Sequence, residues 1–106
     1  PGRAAAAAIE FAREQVAALL PSGGRVIFTG TATEAINLAI VGSKAKQVYV
    51  SAIEHAAVLD CAAAFAEVHT IGVDDDGLVD PQTSISPGTD LVAVMQVNNE
   101  IGTIQP

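Results

Sequence analysis

Residues 47–71 read QVYVSAIEHAAVLDCAAAFAEVHTI, and this stretch decides the fold. The apolar run at 47–50 predicts a strand, and the spacing of apolar residues over 56–66 predicts a helix with one buried face. A second strand is predicted over 68–73. A strand, a helix and a second strand in this order are typical of a βαβ unit, in which the two strands lie parallel.

Predicted helices and strands also alternate on both sides of this unit. Upstream, a helix is predicted up to Leu20, where the turn residues at 21–24 end it, and a buried strand is predicted over 25–29. A helix over 32–42 follows. Downstream, a turn is predicted at 74–77. Asp80 and Pro81 predict the start of a short helix, and the most apolar strand is predicted over 91–97. The chain is therefore predicted to be α/β, with a mostly parallel sheet and crossover helices.

The composition excludes several classes of protein. The chain has 106 residues, 50% of them hydrophobic, and a formal net charge of −7. An acidic chain lacks the Lys/Arg clusters that nucleic acid or an anionic membrane requires, so neither is expected as a partner. One cysteine, Cys61, excludes a disulfide framework, and no apolar run has the length of a membrane span. A cytoplasmic chain is predicted. Because it begins at Pro1 and stops at Pro106, we expect it to be a piece of a larger protein.

Three polar segments follow predicted strands, at 30–34, 54–55 and 98–100. In open parallel sheets, ligands bind outside the carboxyl ends of the strands, so these segments predict one shared site. The first lies at a helix N-terminus, where a phosphate is a natural ligand. No nucleotide-binding fingerprint is present.

Each segment also has a purely structural interpretation. Thr31 and Glu34 have the spacing of a capping box, and so have Ser51 and Glu54. His55 alone is expected to be a partly buried side chain at a helix start, bonded to a carbonyl. The segment 98–100 has the composition of a turn before Gly102, with function and turn about equally favoured.

Metal binding and cysteine chemistry are not expected. The acidic turn at 74–77 lacks the further ligands of a calcium loop. Cys61 and His69 do not stand at zinc spacing from His55. Cys61 is predicted to be a buried, inert thiol.

Several stretches, in order along nearly the whole chain, resemble a known family. They include SAIEHAAVL at 51–59, DGLVDP at 76–81 and, most specifically, VNNEIGTIQP at 97–106. They are similar to the NifS-type cysteine desulfurases, which are class V aminotransferases with the type I pyridoxal-phosphate fold. The resemblance implies that residues 1–106 are a fragment of the cofactor-binding large domain.

The resemblance also implies roles for individual residues. Ala32 and Thr33 match the positions that hold the phosphate of pyridoxal 5′-phosphate. His55, as a catalytic residue, matches the histidine that stacks on the pyridine ring, and Asn99 matches the asparagine that bonds the ring hydroxyl oxygen. The reaction implied converts L-cysteine to L-alanine and leaves a persulfide on a catalytic cysteine. A homodimer and a sulfur-acceptor or iron–sulfur scaffold protein as partner are implied as well.

The chain departs from the family pattern in two respects. The usual Ser-Gly reads Gly30-Thr31 here, so the glycine is shifted by one. The family's Schiff-base lysine, its catalytic cysteine and its aspartate for the ring nitrogen are expected beyond Pro106, and Lys44, Lys46 and Cys61 do not replace them. The fragment alone is therefore expected to be inactive. The alternatives are another class V enzyme, a lyase or an aminotransferase, and a non-catalytic domain that binds a phosphorylated ligand.

Overall fold

The computed structural model describes residues 1–21 and 24–106. In chain order, the elements of this part are α1 (Gly2–Ala17), α2 (Ala32–Ser43), β1 (Gln47–Ser51), α3 (Ala56–Phe65), β2 (Glu67–Ile71) and β3 (Leu91–Ala93). The strands form a sheet in the order β2-β1-β3, and both pairings are parallel. The predicted α/β class and the parallel βαβ unit are confirmed. The turn predicted at 21–24 includes Ser22 and Gly23, which lie outside the described residues.

The chain divides into two compact units, Pro1–Gly30 and Thr31–Pro106. The first contains α1 and the segment that follows it. The second contains the sheet, α2 and α3. The candidate site residues predicted from the sequence, Ala32, Thr33, His55 and Asn99, all belong to the second unit.

The core of the second unit lies between β1 and the two helices. Val48 and Val50 of β1 are 0% exposed, because alternate residues of a strand point to the same face. Cys61 and Ala62 of α3 and Ile40 of α2 belong to the same buried cluster. Cys61 is a free, buried thiol, as predicted.

The opposite face of β1 carries aromatic side chains. Tyr49 stacks on His69 of β2, its partner in the strand register, with ring centroids 4.7 Å apart. The Tyr49 hydroxyl accepts a hydrogen bond from the backbone N–H of Ser86 at 3.4 Å. The long connection between β2 and β3 therefore contacts this face of the sheet.

Asp90, the residue before β3, is bonded to the backbone at the start of β1. Its carboxylate accepts hydrogen bonds from the backbone N–H groups of Lys46 at 2.8 Å and Gln47 at 3.1 Å. These two bonds, with the nearby Lys46 charge, hold the pKa of Asp90 below its ordinary value of 3.8.

The segment 25–29 is not a strand, so that prediction is wrong. Ile27 and Phe28 are 68% and 48% exposed, and the strand pairings of the described residues do not include this segment. Arg13 of α1 donates a hydrogen bond to the carbonyl oxygen of Val26 and lies over the Phe28 ring, 5.2 Å from its centroid. An apolar run forms a strand only beside a partner strand, and here a side chain binds the backbone instead.

Other predicted elements end earlier in the structure. The first helix ends at Ala17 instead of Leu20, and β2 ends at Ile71 instead of residue 73. Asp80 and Pro81 open a single turn, in which Asp80 accepts from the N–H groups of Gln82 and Thr83, but no helix follows. The next residues are rich in Ser and Thr and reach Pro87, and these are poor helix formers. The strand predicted over 91–97 ends at Ala93, since its partner β1 ends at Ser51.

Candidate functional site

A cavity of about 270 Å³ lies where the chain leaves β1 and where it turns beyond β3. The residues that line it form two runs, 52–56 and 98–101. The first run connects β1 to α3, and the second follows β3 by a few residues. The sequence predicted that these two runs meet, because the carboxyl ends of parallel strands lie at one edge of the sheet. It placed the segment 30–34 at the same site, but no residue of that segment is among the described residues that line the cavity.

His55 is the N-cap residue of α3. Its backbone is extended, at φ −60° and ψ 144°, and its Nδ1 accepts a hydrogen bond from the backbone N–H of Ala57 at 3.0 Å. The expected partly buried histidine bonded to a carbonyl is therefore wrong on both points, because the side chain is exposed and its partner is a donor. A helix start offers free N–H groups rather than free carbonyls, and this explains the difference.

The two adjacent asparagines differ in their surroundings. Asn98 is 7% exposed; its Nδ2 donates to the Ile53 carbonyl at 2.8 Å, and its Oδ1 accepts from the N–H groups of Glu100 and Ile101. Asn99 is exposed and lines the cavity. Asn98 therefore holds the two runs of the cavity wall together, and it leaves Asn99 facing the space beside His55.

Glu54 belongs to a segment that the sequence placed at the shared site, but its structural role was not predicted. It is 9% exposed, and its Oε1 accepts from the Ser51 hydroxyl at 2.5 Å and from the backbone N–H of Met95 at 2.6 Å. The capping box predicted for Ser51 and Glu54 is wrong, since His55 caps α3. The carboxylate instead joins the end of β1 to the chain beyond β3, through hydrogen bonds of the strong, charge-assisted kind. The sequence carries no signal of this role, because Met95 lies 41 residues away along the chain.

Ala32 and Thr33 form the first turn of α2. Thr31 is the N-cap, and its hydroxyl accepts from the N–H of Glu34 at 3.1 Å, as the capping-box spacing predicted. Thr31 has φ −150°, an extended conformation open to any residue, so the absence of glycine here causes no backbone strain. Ala32 and Thr33 are not among the described residues that line the cavity. The structure thus brings His55 and Asn99 to one cavity, whereas Ala32 and Thr33 lie at a separate helix start.

The acidic stretch at 74–77 is a turn, as predicted. Asp74 Oδ1 accepts from the N–H groups of Asp76 and Leu78, both at 2.9 Å. Within residues 1–21 and 24–106, no group of three or more His, Cys, Asp or Glu side chains could hold a metal ion.

None of the helices in the described part of the chain has the length and apolarity that a membrane crossing requires.

Sequence comparison relates the whole chain to one family. The model of the aminotransferase class-V family matches residues 1–106. The cysteine desulfurase IscS of Glaesserella parasuis is 42% identical over 93% of this chain. The human protein named cysteine desulfurase is 43% identical over 94% of it. The chain spans 28% and 25% of the lengths of these two relatives.

Structural comparison agrees with the sequence relationship. A solved structure described as a NifS-like protein superimposes with a TM-score of 0.84 and 34% identity. The match covers 99% of this chain and 33% of that structure. The arrangement of strands and helices is therefore that of part of a larger known fold.

Proposed function

Because this chain belongs to the class-V aminotransferase family, we propose that the intact protein is a cysteine desulfurase. It converts L-cysteine to L-alanine and passes the sulfur on as an enzyme-bound persulfide. The observation that supports this most directly is the cavity shared by His55 and Asn99, two residues that the family resemblance assigns to the site. Relatives named cysteine desulfurase, more than 40% identical over most of the chain, support the same activity.

Pyridoxal 5′-phosphate is the proposed cofactor, and the residues present fit it chemically. An aromatic ring needs a flat partner, a ring oxygen needs an N–H donor, and a phosphate needs backbone N–H groups at a helix start. His55, Asn99 and the first turn of α2 at Ala32 and Thr33 offer these three groups. When bound, the cofactor supplies an electron sink for chemistry at the amino acid's α-carbon.

The chain's own residues bind and orient in this proposal. His55 would hold the ring of the cofactor by stacking, and Asn99 would bind the ring hydroxyl oxygen through its amide N–H. The Asn98 side chain ties the loop that carries Asn99 to the backbone of Ile53, through the 2.8 Å bond to the Ile53 carbonyl. Glu54 binds the Met95 N–H and so holds the chain beyond β3 beside the start of α3.

The proposal extends to the organisation and partners of the intact protein. Residues 1–106 form part of its cofactor-binding large domain, and the protein is a cytoplasmic homodimer. L-cysteine is its substrate, and a sulfur-acceptor or iron–sulfur scaffold protein receives the sulfur. The family match and the names of the relatives support this context.

The test measures L-alanine formed from L-cysteine by the intact protein and by two variants. His55→Asn keeps a good N-cap but removes the stacking ring, and it should lower the rate roughly tenfold. Asn99→Ala removes one hydrogen bond, worth about 1 kcal/mol, and should lower the rate roughly five- to tenfold. Asp75→Asn, in the exposed turn at 74–77, is the control and should leave the rate unchanged.

Unchanged alanine production in both site variants would contradict the site assignment. If the wild-type protein with its cofactor forms no alanine from cysteine, the desulfurase assignment fails. A keto acid product, or elimination from another amino acid, would instead identify a different class V activity.

A further inference from the structure

The hydrogen bond at the start of α3 determines which nitrogen of His55 carries a proton. Nδ1 of His55 lies 3.0 Å from the backbone nitrogen of Ala57. A backbone N–H can only donate, so Nδ1 must offer its lone pair. In a neutral imidazole the single ring proton then resides on Nε2.

We propose that the backbone N–H of Ala57 holds His55 in the Nε2-protonated tautomer, so that the ring presents a hydrogen-bond donor to the cavity. Ala57 is thus a positioning residue that acts through its main chain. Its own side chain, a methyl group, takes no part.

The position of Ala57 in the helix favours this bond. Ala57 is the second residue of α3, and the first N–H groups of a helix have no acceptor within the helix. Turning the ring, or moving its proton to Nδ1, would leave the Ala57 N–H without this partner. His55 itself is set for capping by its extended backbone, at φ −60° and ψ 144°.

The tautomer limits what the ring can do in the cavity. Neutral His55 can donate from Nε2 to an oxygen or nitrogen of a bound molecule, but it cannot accept a proton there. A proton can enter the ring only at Nδ1, and this step ends the bond to Ala57. A ligand of the cavity should therefore place a hydrogen-bond acceptor against the edge of His55. This last statement rests on the proposed function, whereas the tautomer does not.

The test is a long-range ¹H–¹⁵N correlation spectrum of the intact protein labelled with ¹⁵N-histidine. It is recorded without substrate at about pH 8.5, where free histidine is neutral. The His55→Asn variant assigns the signals of His55 by their loss. We expect an unprotonated Nδ1 and a protonated Nε2, with the two nitrogen shifts fully separated. A protonated Nδ1, or the averaged shifts of free histidine, would overturn the inference.

A matched pair of proline variants tests whether the Ala57 N–H is what holds His55 in this tautomer. Ala57→Pro removes the N–H that binds Nδ1, and it should move both His55 nitrogen shifts toward the averaged values. Ala56→Pro places proline one residue earlier, where helices accept it well, keeps the Ala57 N–H and should leave the pattern unchanged. Circular dichroism checks that both variants retain the helix; if Ala57→Pro does not fold, the wild-type spectrum alone decides.

The two proposals fail in different ways. A protein that forms alanine but shows averaged His55 shifts refutes the tautomer alone. A protein with the Nε2-protonated tautomer that forms no alanine refutes the desulfurase assignment alone.

Discussion

At the scale of single residues, three glycines differ in two properties: whether their backbone has a positive φ, and whether a Cβ atom would have room. Gly77 has φ +76°, and a Cβ there would lie 2.6 Å from Ile101 Cδ1. Gly102 has φ +73° with nothing within 4 Å, and Gly72 has open space and no positive φ. Position 77 therefore requires glycine for two reasons, position 102 for one, and position 72 for neither.

Alanine substitutions at these positions should lower the free energy of unfolding in that order. Gly102→Ala should cost about 1 kcal/mol for the left-handed conformation. Gly77→Ala should cost about 1–3 kcal/mol, because the exposed end of Ile101 can move away whereas Thr103 Oγ1, 3.0 Å from the Cβ position, is held by its bond to the Asp76 carbonyl. Gly72→Ala, the control, should change stability by less than about 1 kcal/mol. Urea denaturation measures all three, and equal effects at positions 77 and 102 would contradict the role of the contact.

Asp90 should make part of the stability dependent on pH. Its pKa is lowered in the folded chain by the N–H groups of Lys46 and Gln47, so the unfolded chain binds the proton more readily. The contribution is complete above the ordinary value of 3.8 and is lost as the pH falls through the lowered folded value.

The matching variant is Asp90→Asn, which removes the charge and keeps the shape. At neutral pH it should unfold at lower urea concentration than the wild type, and the difference should shrink as the pH falls below 3.8. Urea curves between about pH 2 and pH 7 measure this. Asp75→Asn serves as the control, and its difference from the wild type should not follow the same course. A constant Asp90→Asn difference across the range would contradict the assignment.

At the scale of elements, the loop beyond β3 combines a structural and an exposed asparagine. Asn98→Ala should lower the free energy of unfolding by about 1–3 kcal/mol, because it leaves the carbonyl of half-buried Ile53 and two N–H groups without this partner. Asn99→Ala should change it by less than about 0.5 kcal/mol, since that side chain is exposed. Denaturation of the two variants side by side is the measurement. A larger loss of stability from Asn99→Ala would reverse the assignment.

Elements whose burial follows from local pattern could be predicted from the sequence. β1 and α3 follow from apolar periodicity, and the nearness of His55 to Asn99 follows from the rule for the ends of parallel strands. The failure at 25–29 has a physical cause, since an apolar run does not reveal whether a partner strand lies beside it. The role of Glu54 was equally hidden, because it depends on a bond to Met95, 41 residues away along the chain.

At the scale of the whole molecule, large apolar side chains remain exposed in both units. Phe11 and Ile27 of the first unit are 62% and 68% exposed, and Phe65 and Ile104 of the second are 62% and 64% exposed. Surfaces of this kind drive association when nothing covers them.

We therefore expect the 106-residue chain, prepared alone, to self-associate. Sedimentation velocity over a range of concentrations measures this, and the sedimentation coefficient should rise with concentration. Replacing the exposed Phe11 and Phe65 by Ser should weaken the association without opening the β1–α3 core, to which neither residue belongs. A concentration-independent monomer would contradict the expectation.

Because β1 lies between β2 and β3, the lengths of its two connections indicate which strand pairs with it first during folding. Val48 pairs with Val68 across a single helix, and it pairs with Leu91 across a chain segment roughly twice as long. Closing the longer loop costs about 0.6 kcal/mol more conformational entropy. The β1–α3–β2 unit can therefore close first, and the β3 edge joins a surface that already exists. During translation, the whole β1–α3–β2 unit is synthesised before the asparagines that line the cavity. Of the two runs that line the cavity, 98–101 is thus added last, beside the run at 52–56 that is already in place.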